Sequence, residues 1–206
     1  MTGLFITFEG GDGSGKTTQV ALLTEWLTAE GHTVEHSREP GGTDLGLELR
    51  EIILHRRGYI APRAEALLYA ADRAHNIATR VRPAIERGDI VIQDRYLDSS
   101  VAYQGAGRVL DGAEIRDLSL WAAEGLIPDL TVLLDLDATA GRGRLDESRD
   151  KYDRLEDEKH DFHERVRHGY LELAAAEPER FLVLDATLSI DTIAQAIRSR
   201  VVSLLT

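Results

Sequence analysis

Leu4-Phe-Ile-Thr-Phe-Glu9, followed by Gly10-Gly11-Asp12-Gly13-Ser14-Gly15-Lys16-Thr17, is the stretch on which the fold turns. The first six residues form an apolar, β-rich run that ends on an acid. The next eight match the pattern G-x-x-x-x-G-K-[ST], and a helix-period segment begins near Thr17. Strand, glycine-rich turn and helix, in that order, are the setting in which this pattern cradles phosphate. The glycines let the backbone curl until consecutive N–H groups face an anion, and the helix adds the positive end of its dipole. On this reading Gly10, Gly11, Asp12, Gly13, Ser14, Gly15, Lys16, Thr17 and Thr18 hold a nucleoside triphosphate. Lys16 bridges its β- and γ-phosphates and the Thr17 hydroxyl ligates Mg²⁺. A glycine-rich turn that binds nothing is the plainer reading, and eight residues in pattern with the right flanks weigh against it.

Working outward, Thr33–Ser37, Ile90–Asp94, Leu130–Asp135 and Phe181–Asp185 are further short apolar runs separated by helical patterns. The alternation predicts an α/β fold with a five-stranded parallel sheet flanked by helices. The 206 residues, 43% of them hydrophobic, suffice for one domain over 1–206. Pro83 falls late in a long helical pattern, whereas the other prolines sit at element boundaries. The stretch from Asp146 to Lys159 is almost wholly charged and reads as a mobile surface segment.

Composition removes several classes of function. With no cysteine there is no disulfide framework, thiolate metal site or cysteine nucleophile. The N-terminus has no basic n-region and no run reaches about 18 apolar residues, so the expectation is a cytoplasmic protein without membrane contact. Against 24 Lys and Arg stand 36 Asp and Glu, a formal net charge of −12. That balance argues against nucleic-acid polymers as partners and requires any phosphate ligand to be held by a local cluster of cations.

Such cations stand at the ends of the predicted strands. Arg38-Glu-Pro-Gly-Gly-Thr43 follows the second strand, Asp94-Arg-Tyr96 closes the third, and Tyr103-Gln-Gly105 lies just beyond. All border the crevice at the carboxyl ends of a parallel sheet. Arg38 and Arg95 each end an apolar run, and two guanidinium forks beside a phosphate loop suit bidentate phosphate recognition. Asp94 is placed either to orient Mg²⁺ or to pair with Arg95 or Arg38, and the sequence leaves both open. Tyr69 and Arg73, four apart on one helical face, suit a nucleobase platform, although a tyrosine in such a pattern is more often core. No Asn-Lys-x-Asp occurs, which argues against a guanine-reading switch.

Taken together these motifs resemble the thymidylate kinases, P-loop nucleoside monophosphate kinases that convert dTMP and ATP to dTDP and ADP. The likeness runs from Phe8–Gln19 through Arg38–Thr43, Leu67–Arg73 and Asp94–Gly105 to Pro128–Thr131 and Asp153–Glu156. It implies a P-loop NTPase fold with a mobile lid at roughly 142–157, ATP and dTMP as substrates with Mg²⁺, and a homodimer. It also implies that Tyr69 stacks on thymine, Arg73 bonds a base oxygen, and Ser99 or Ser100 reaches another base edge. Arg95 clamps the acceptor phosphate and acts in catalysis, in a pocket shaped by Arg38, Pro40 and Gly41. Asp12 and Tyr103, with Gln104 beside them, line the sugar and disfavour a ribose 2′-hydroxyl. The phosphate loop holds no arginine, so the resemblance makes the lid supply the catalytic cation, with Arg149 and Arg154 favoured. His75 stands where many members have Gln, and the lid is unusually acidic. Another pyrimidine nucleotide kinase and a P-loop switch are the competing functional readings.

Overall fold

The computed structural model describes residues 3–56, 58–148 and 152–205. Five strands, β1 (Leu4–Glu9), β2 (Val34–Arg38), β3 (Ile90–Asp94), β4 (Leu130–Asp135) and β5 (Phe181–Asp185), form a wholly parallel sheet in the order β2-β3-β1-β4-β5. The central strands are apolar on both faces because helices cover both. Ile6 and Phe8 of β1 join Ile92, Val132 and Leu134 on one face, under Val20, Leu23 and Leu27 of α1 (Lys16–Ala29) and Ile197 of α9 (Ile190–Leu205). Phe5 and Val91 point the other way, against Tyr96, Leu97, Ile77 and Val81. By the same period of two, Glu9 points to this second face, where it is fully buried.

Four of the five strands coincide with the apolar runs of the sequence. The second is displaced by one residue, to Val34–Arg38 rather than Thr33–Ser37, since its ladder continues past the apolar run: Arg38 pairs in register with Asp94, and the Glu39 N–H donates to the Asp94 carbonyl at 3.0 Å. Hydrophobicity alone cannot report a strand end at which the ladder runs on through charged residues.

Two long helices carry the second-face residues. After α2 (Asp44–Arg50), which runs on as a π-helical turn through Glu51–His55, α3 (Pro62–Asn76) passes through a second π-helical turn, Ile77–Val81, into α4 (Arg82–Glu86). The wider turn explains how Pro83 is tolerated there: its ring would clash with the Thr79 carbonyl in a regular helix, and here that carbonyl lies within the turn. Likewise α5 (Leu97–Ser100) continues as a π-helical stretch, Val101–Gly107, followed by α6 (Gly112–Ala122), α7 (Ala138–Ser148) and α8 (His160–Ala176). Helix α8 lies close against that stretch because Gly169 and Gly107 leave room. A Cβ on Gly169 would sit 2.9 Å from the Ala106 Cβ, and one on Gly107 2.7 Å from the Phe162 ring. This approach brings Tyr170 to the sheet end.

Candidate active site

The loop after β1 is built from backbone. Gly10, Gly13 and Gly15 have φ of 131°, 77° and 92°, a region side chains disfavour. A Cβ on Gly10 would lie 2.4 Å from the Leu134 carbonyl oxygen, and one on Gly13 2.6 Å from that of Gly141. Helix α1 starts at Lys16 directly behind the loop. The Lys16 ammonium is buried and donates to the carbonyls of Gly10 at 3.0 Å and Gly11 at 2.8 Å. Burial, reinforced by the neighbouring Arg95 guanidinium, pulls its pKa down to about 8.

A cavity of about 560 Å³ opens beside this loop over the carboxyl ends of β1, β2 and β3. Asp12 through Thr18 line it on one side. Arg38, Pro40, Tyr69, Arg73, Asp94, Arg95, Ser99, Ser100, Tyr103 and Gln104 line the other, so the fold brings nearly all the residues expected from the sequence to one place. Gly10 and Gly11 form the base of the loop behind it.

Arg95 is the hub of that wall. Its backbone has a φ of 66°, and its guanidinium donates to Asp12 Oδ1 at 2.5 Å and to the Gly10 carbonyl at 3.1 Å while lying 5.0 Å over the Tyr103 ring. Burial opposes ionisation of Asp12, but Arg95 and Lys16 outweigh it and hold the carboxyl at about 2. The Tyr103 hydroxyl donates to Asp12 Oδ2 at 3.2 Å, and burial pushes that phenol well above its usual range. Asp12, Arg95 and Tyr103 therefore form one unit joining loop to wall.

Arg73 is buried and pairs with buried Glu39 at 2.9 Å, with further donation to Ser119 and Ser100, each at 3.1 Å. Glu39 also accepts from Gln93 at 2.8 Å and Asn76 at 3.3 Å. Burial nevertheless raises its carboxyl to about 7, against the pull of Arg73. Gln104 donates to Glu65 at 2.9 Å.

The alternatives left open for Asp94 separate here. Among the described residues it forms no ion pair, and its Oδ1 is buried without a hydrogen-bond partner. Asp94 and Thr17 line the same cavity, and a buried carboxylate oxygen with no hydrogen-bond partner among the described residues fits a hard divalent cation that takes its other ligands from phosphate and water.

The segment after α7 departs from the sequence reading. Leu155 and Glu156 are buried, and the Arg154 N–H donates to the Leu54 carbonyl at 3.1 Å. The Arg154 side chain is held by buried Glu65 at 2.6 Å and by the Ile53 carbonyl at 2.8 Å, so it does not line the cavity. Leu155 is the apolar anchor that the density of charge in this stretch concealed. Arg149 lies outside the described residues. Arg144 of α7 does line the cavity, within 3.3 Å of the Gly13 carbonyl.

Three residues at or behind the wall were not read from the sequence. Arg50, at the end of α2, reaches back to the Pro40 carbonyl at 2.9 Å and lines the cavity with Arg38, the two side chains flanking Gly41. Burial, then Arg38, lowers its pKa. In the sequence it is one helix-surface cation among several. Glu9 and Tyr170 meet beneath Arg95, 161 positions apart in the chain. The only signal for Glu9 was an acid closing an apolar run.

Comparison with known proteins bears on this arrangement. The family model for thymidylate kinase matches residues 8–197. The chain belongs to the thymidylate kinase family. It is 72% identical over 200 residues to the thymidylate kinase of Clavibacter sepedonicus, covering 97% of this chain and 95% of that one. With the thymidylate kinase of Leifsonia xyli subsp. xyli it shares 70% over 198 residues, or 96% and 94% of the two chains. The crystal structure of thymidylate kinase from Ehrlichia chaffeensis superposes over all of both chains with a TM-score of 0.78 at 31% identity. The family and fold make this chain a nucleotide-binding transferase of the kinase class, built on a P-loop NTPase fold. No helix among the described residues is long and apolar enough to cross a membrane.

Proposed function

We propose that the chain transfers the γ-phosphoryl group of ATP to the phosphate of dTMP, giving dTDP and ADP. The observation that carries this reading is one cavity with a phosphate loop on one side and a wall of arginines with a tyrosine platform on the other, in a chain matched by the thymidylate kinase family along nearly its whole length. A cradle for one phosphate chain faces cations for a second anion, which is what transfer between two nucleotides requires.

The loop backbone and Lys16 hold the β- and γ-phosphates, and Lys16 exchanges its bonds to Gly10 and Gly11 for phosphate oxygens. Thr17 and Asp94 would hold Mg²⁺, which when bound neutralises charge on those phosphates. Opposite them, Arg95, Arg38 and Arg50 receive the acceptor phosphate. Arg73, fixed by Glu39, Ser100 and Ser119, presents its remaining edge to the base while Tyr69 supplies a ring face, with Ser99 and Gln104 at the margins of the pocket. Asp12 and Tyr103 line the space between base and phosphate, where the sugar lies, and their mutual bond disfavours a 2′-hydroxyl.

The acceptor phosphate is the nucleophile. Its second pKa is about 6, so at neutral pH it is mostly dianionic and no general base is needed. Rate comes from alignment and from neutralising the charge of two approaching anions. Arg144, at the mouth of the cavity beside Gly13, is the described cation of the 142–157 lid best placed to follow the moving group, and closure of that lid would exclude water as a competing acceptor. Leu67 and Trp121, 58% and 79% exposed on the neighbouring helices α3 and α6, support a homodimer contact. The chain acts as a single catalytic domain in the cytoplasm.

The test is an ADP-release assay with ATP and Mg²⁺, with and without dTMP, and chromatography of the products. Stoichiometric dTDP that disappears in Lys16→Ala is expected. Slow ADP release with no dTDP would overturn the reading, and equal rates with ribose acceptors would remove the sugar-gate role of Asp12 and Tyr103.

A further inference from the structure

Glu9 has no part in the reaction as described above, yet it is the most heavily bonded carboxylate at the site. Its Oε1 accepts from the backbone N–H of Tyr96 at 2.7 Å and of Ser99 at 3.3 Å. Its Oε2 accepts from the Ser99 hydroxyl at 2.5 Å and the Tyr170 hydroxyl at 2.8 Å, and these two oxygens lie 2.7 Å apart. Arg95 Nη1 donates to both hydroxyls, each at 3.3 Å. One buried carboxylate thus holds the backbone immediately after Arg95 with one oxygen and the support of its guanidinium with the other.

Arg95 needs such support. Its φ of 66° is costly for a residue with a side chain and persists only where the surroundings over-determine it. We propose that Glu9 is a positioning residue for the acceptor-phosphate clamp, acting on Arg95 through the Tyr96–Ser99 backbone and through the Ser99 and Tyr170 hydroxyls. This rests on the assignment of Arg95 to the acceptor phosphate.

The ring of three oxygens makes the effect depend on charge. With Glu9 ionised, Oε2, Ser99 Oγ and the Tyr170 oxygen share two hydrogens, and the negative charge draws Arg95 Nη1 onto the hydroxyls. With Glu9 protonated, three hydrogens close the ring on itself and that pull is lost. Burial, then Asp98, pushes the Glu9 carboxyl up to about 7, against Ser99, Arg95 and Tyr170. The other groups facing the cluster are Asp98, held bidentate by Arg180 at 2.7 and 2.9 Å, the Lys16 ammonium, Asp94, and Asp12 and Tyr103 beyond Arg95.

The experiment is equilibrium binding of dTMP and of thymidine to wild type and Glu9→Gln between pH 6 and 8.5, alongside dTDP formation. Gln keeps an acceptor for the backbone and replaces the acceptor of the two hydroxyls with a donor. At pH 8 the variant is expected to bind dTMP about tenfold more weakly, the scale of one charge-assisted hydrogen bond, with thymidine unchanged. The difference should shrink toward pH 6, where wild type has also lost the charge, and the titration of dTMP itself cancels in the ratio. Equal dTMP affinity at pH 8, tighter dTMP binding, or parallel loss of dTMP and thymidine would each overturn the proposal. Should Glu9→Gln not fold, Tyr170→Phe keeps the carboxylate and removes one hydroxyl. It is expected to weaken dTMP about threefold with thymidine unchanged, and an unaltered dTMP affinity would overturn the relay. A wild type that forms no dTDP overturns the reaction itself, whereas dTDP formation with an unaffected Glu9→Gln overturns only the role of Glu9.

Discussion

Across the cavity, the loop Gly10–Gly15 meets phosphate with backbone, whereas the opposite wall meets it with side chains drawn from residues 38 to 104. The loop is contiguous, and its shape follows from glycines in conformations that other residues resist. The wall is assembled from four arginines, and two of them are held by a carboxylate: Asp12 for Arg95 and Glu39 for Arg73. A backbone site is already shaped before its ligand arrives. A side-chain site has to be held in place, and the carboxylates that hold it also keep the wall's charge in balance while the cavity is empty.

That contrast is sharpest at Lys16, the charged side chain of the cradle. Lys16→Ala leaves the loop glycines intact and removes the charge aimed at the transferred group. The expected loss in kcat/KM for dTDP formation is on the order of a thousandfold. A variant that retained a tenth of the activity would mean that the backbone alone suffices. On the wall, Arg50→Ala should raise KM for dTMP by on the order of 10- to 100-fold, the scale of hydrogen bonds to a charged group, and leave KM for ATP unaltered. Equal effects on both substrates would erase the division between cradle and wall.

The same contrast explains what could be read in advance. The sheet was legible because each strand is a short apolar run between helical periods, and the cradle because its residues are consecutive and its flanks fix their setting. Arg38, Arg73 and Arg95 were legible as arginines at strand ends or on a helix face, and most of the wall then followed from family likeness. Arg50 was not, because only the turn at Pro40 and Gly41 folds α2 back to within reach. Glu9 and Tyr170 were not, because they meet only once α8 packs down at Gly107 and Gly169. Arg154 looked like a free lid cation, since nothing in a run of charges reveals that Glu65 holds it or that Leu155 pins the segment.

The lid arginines extend the comparison to a third surface. Arg144→Ala should lower kcat about tenfold, because it removes a charge from the mouth of the cavity beside Gly13. Arg154→Ala should leave kcat nearly unchanged and lower stability to urea by about 1–3 kcal/mol, since buried Glu65 keeps Arg108 and Gln104 but loses one partner. If Arg154→Ala instead reduced kcat and spared stability, the pair with Glu65 would have to open during turnover.

A smaller expected effect sets the two sides apart by their protons. Arg95 stays charged at any working pH because a guanidinium does not give up its proton in this range. Lys16 differs, since in the empty site burial and Arg95 leave its pKa at about 8 rather than the ordinary 10.5. Phosphate oxygens favour the ammonium and move that value back up, so between these limits the complex holds a proton that the free protein lacks. Binding must then take up a proton, and affinity must fall as pH rises through about 8. The sign is fixed because the free-state pKa is the lower of the two. ATP should bind about fivefold more weakly at pH 9 than at pH 8. Calorimetry in buffers of different ionisation heat reads the proton directly, and the phosphate's own last ionisation, near 6, is already complete. An affinity flat across this interval, with no proton taken up, would mean that Lys16 is already fully charged in the empty loop, and the cradle would then be as preset in charge as it is in backbone.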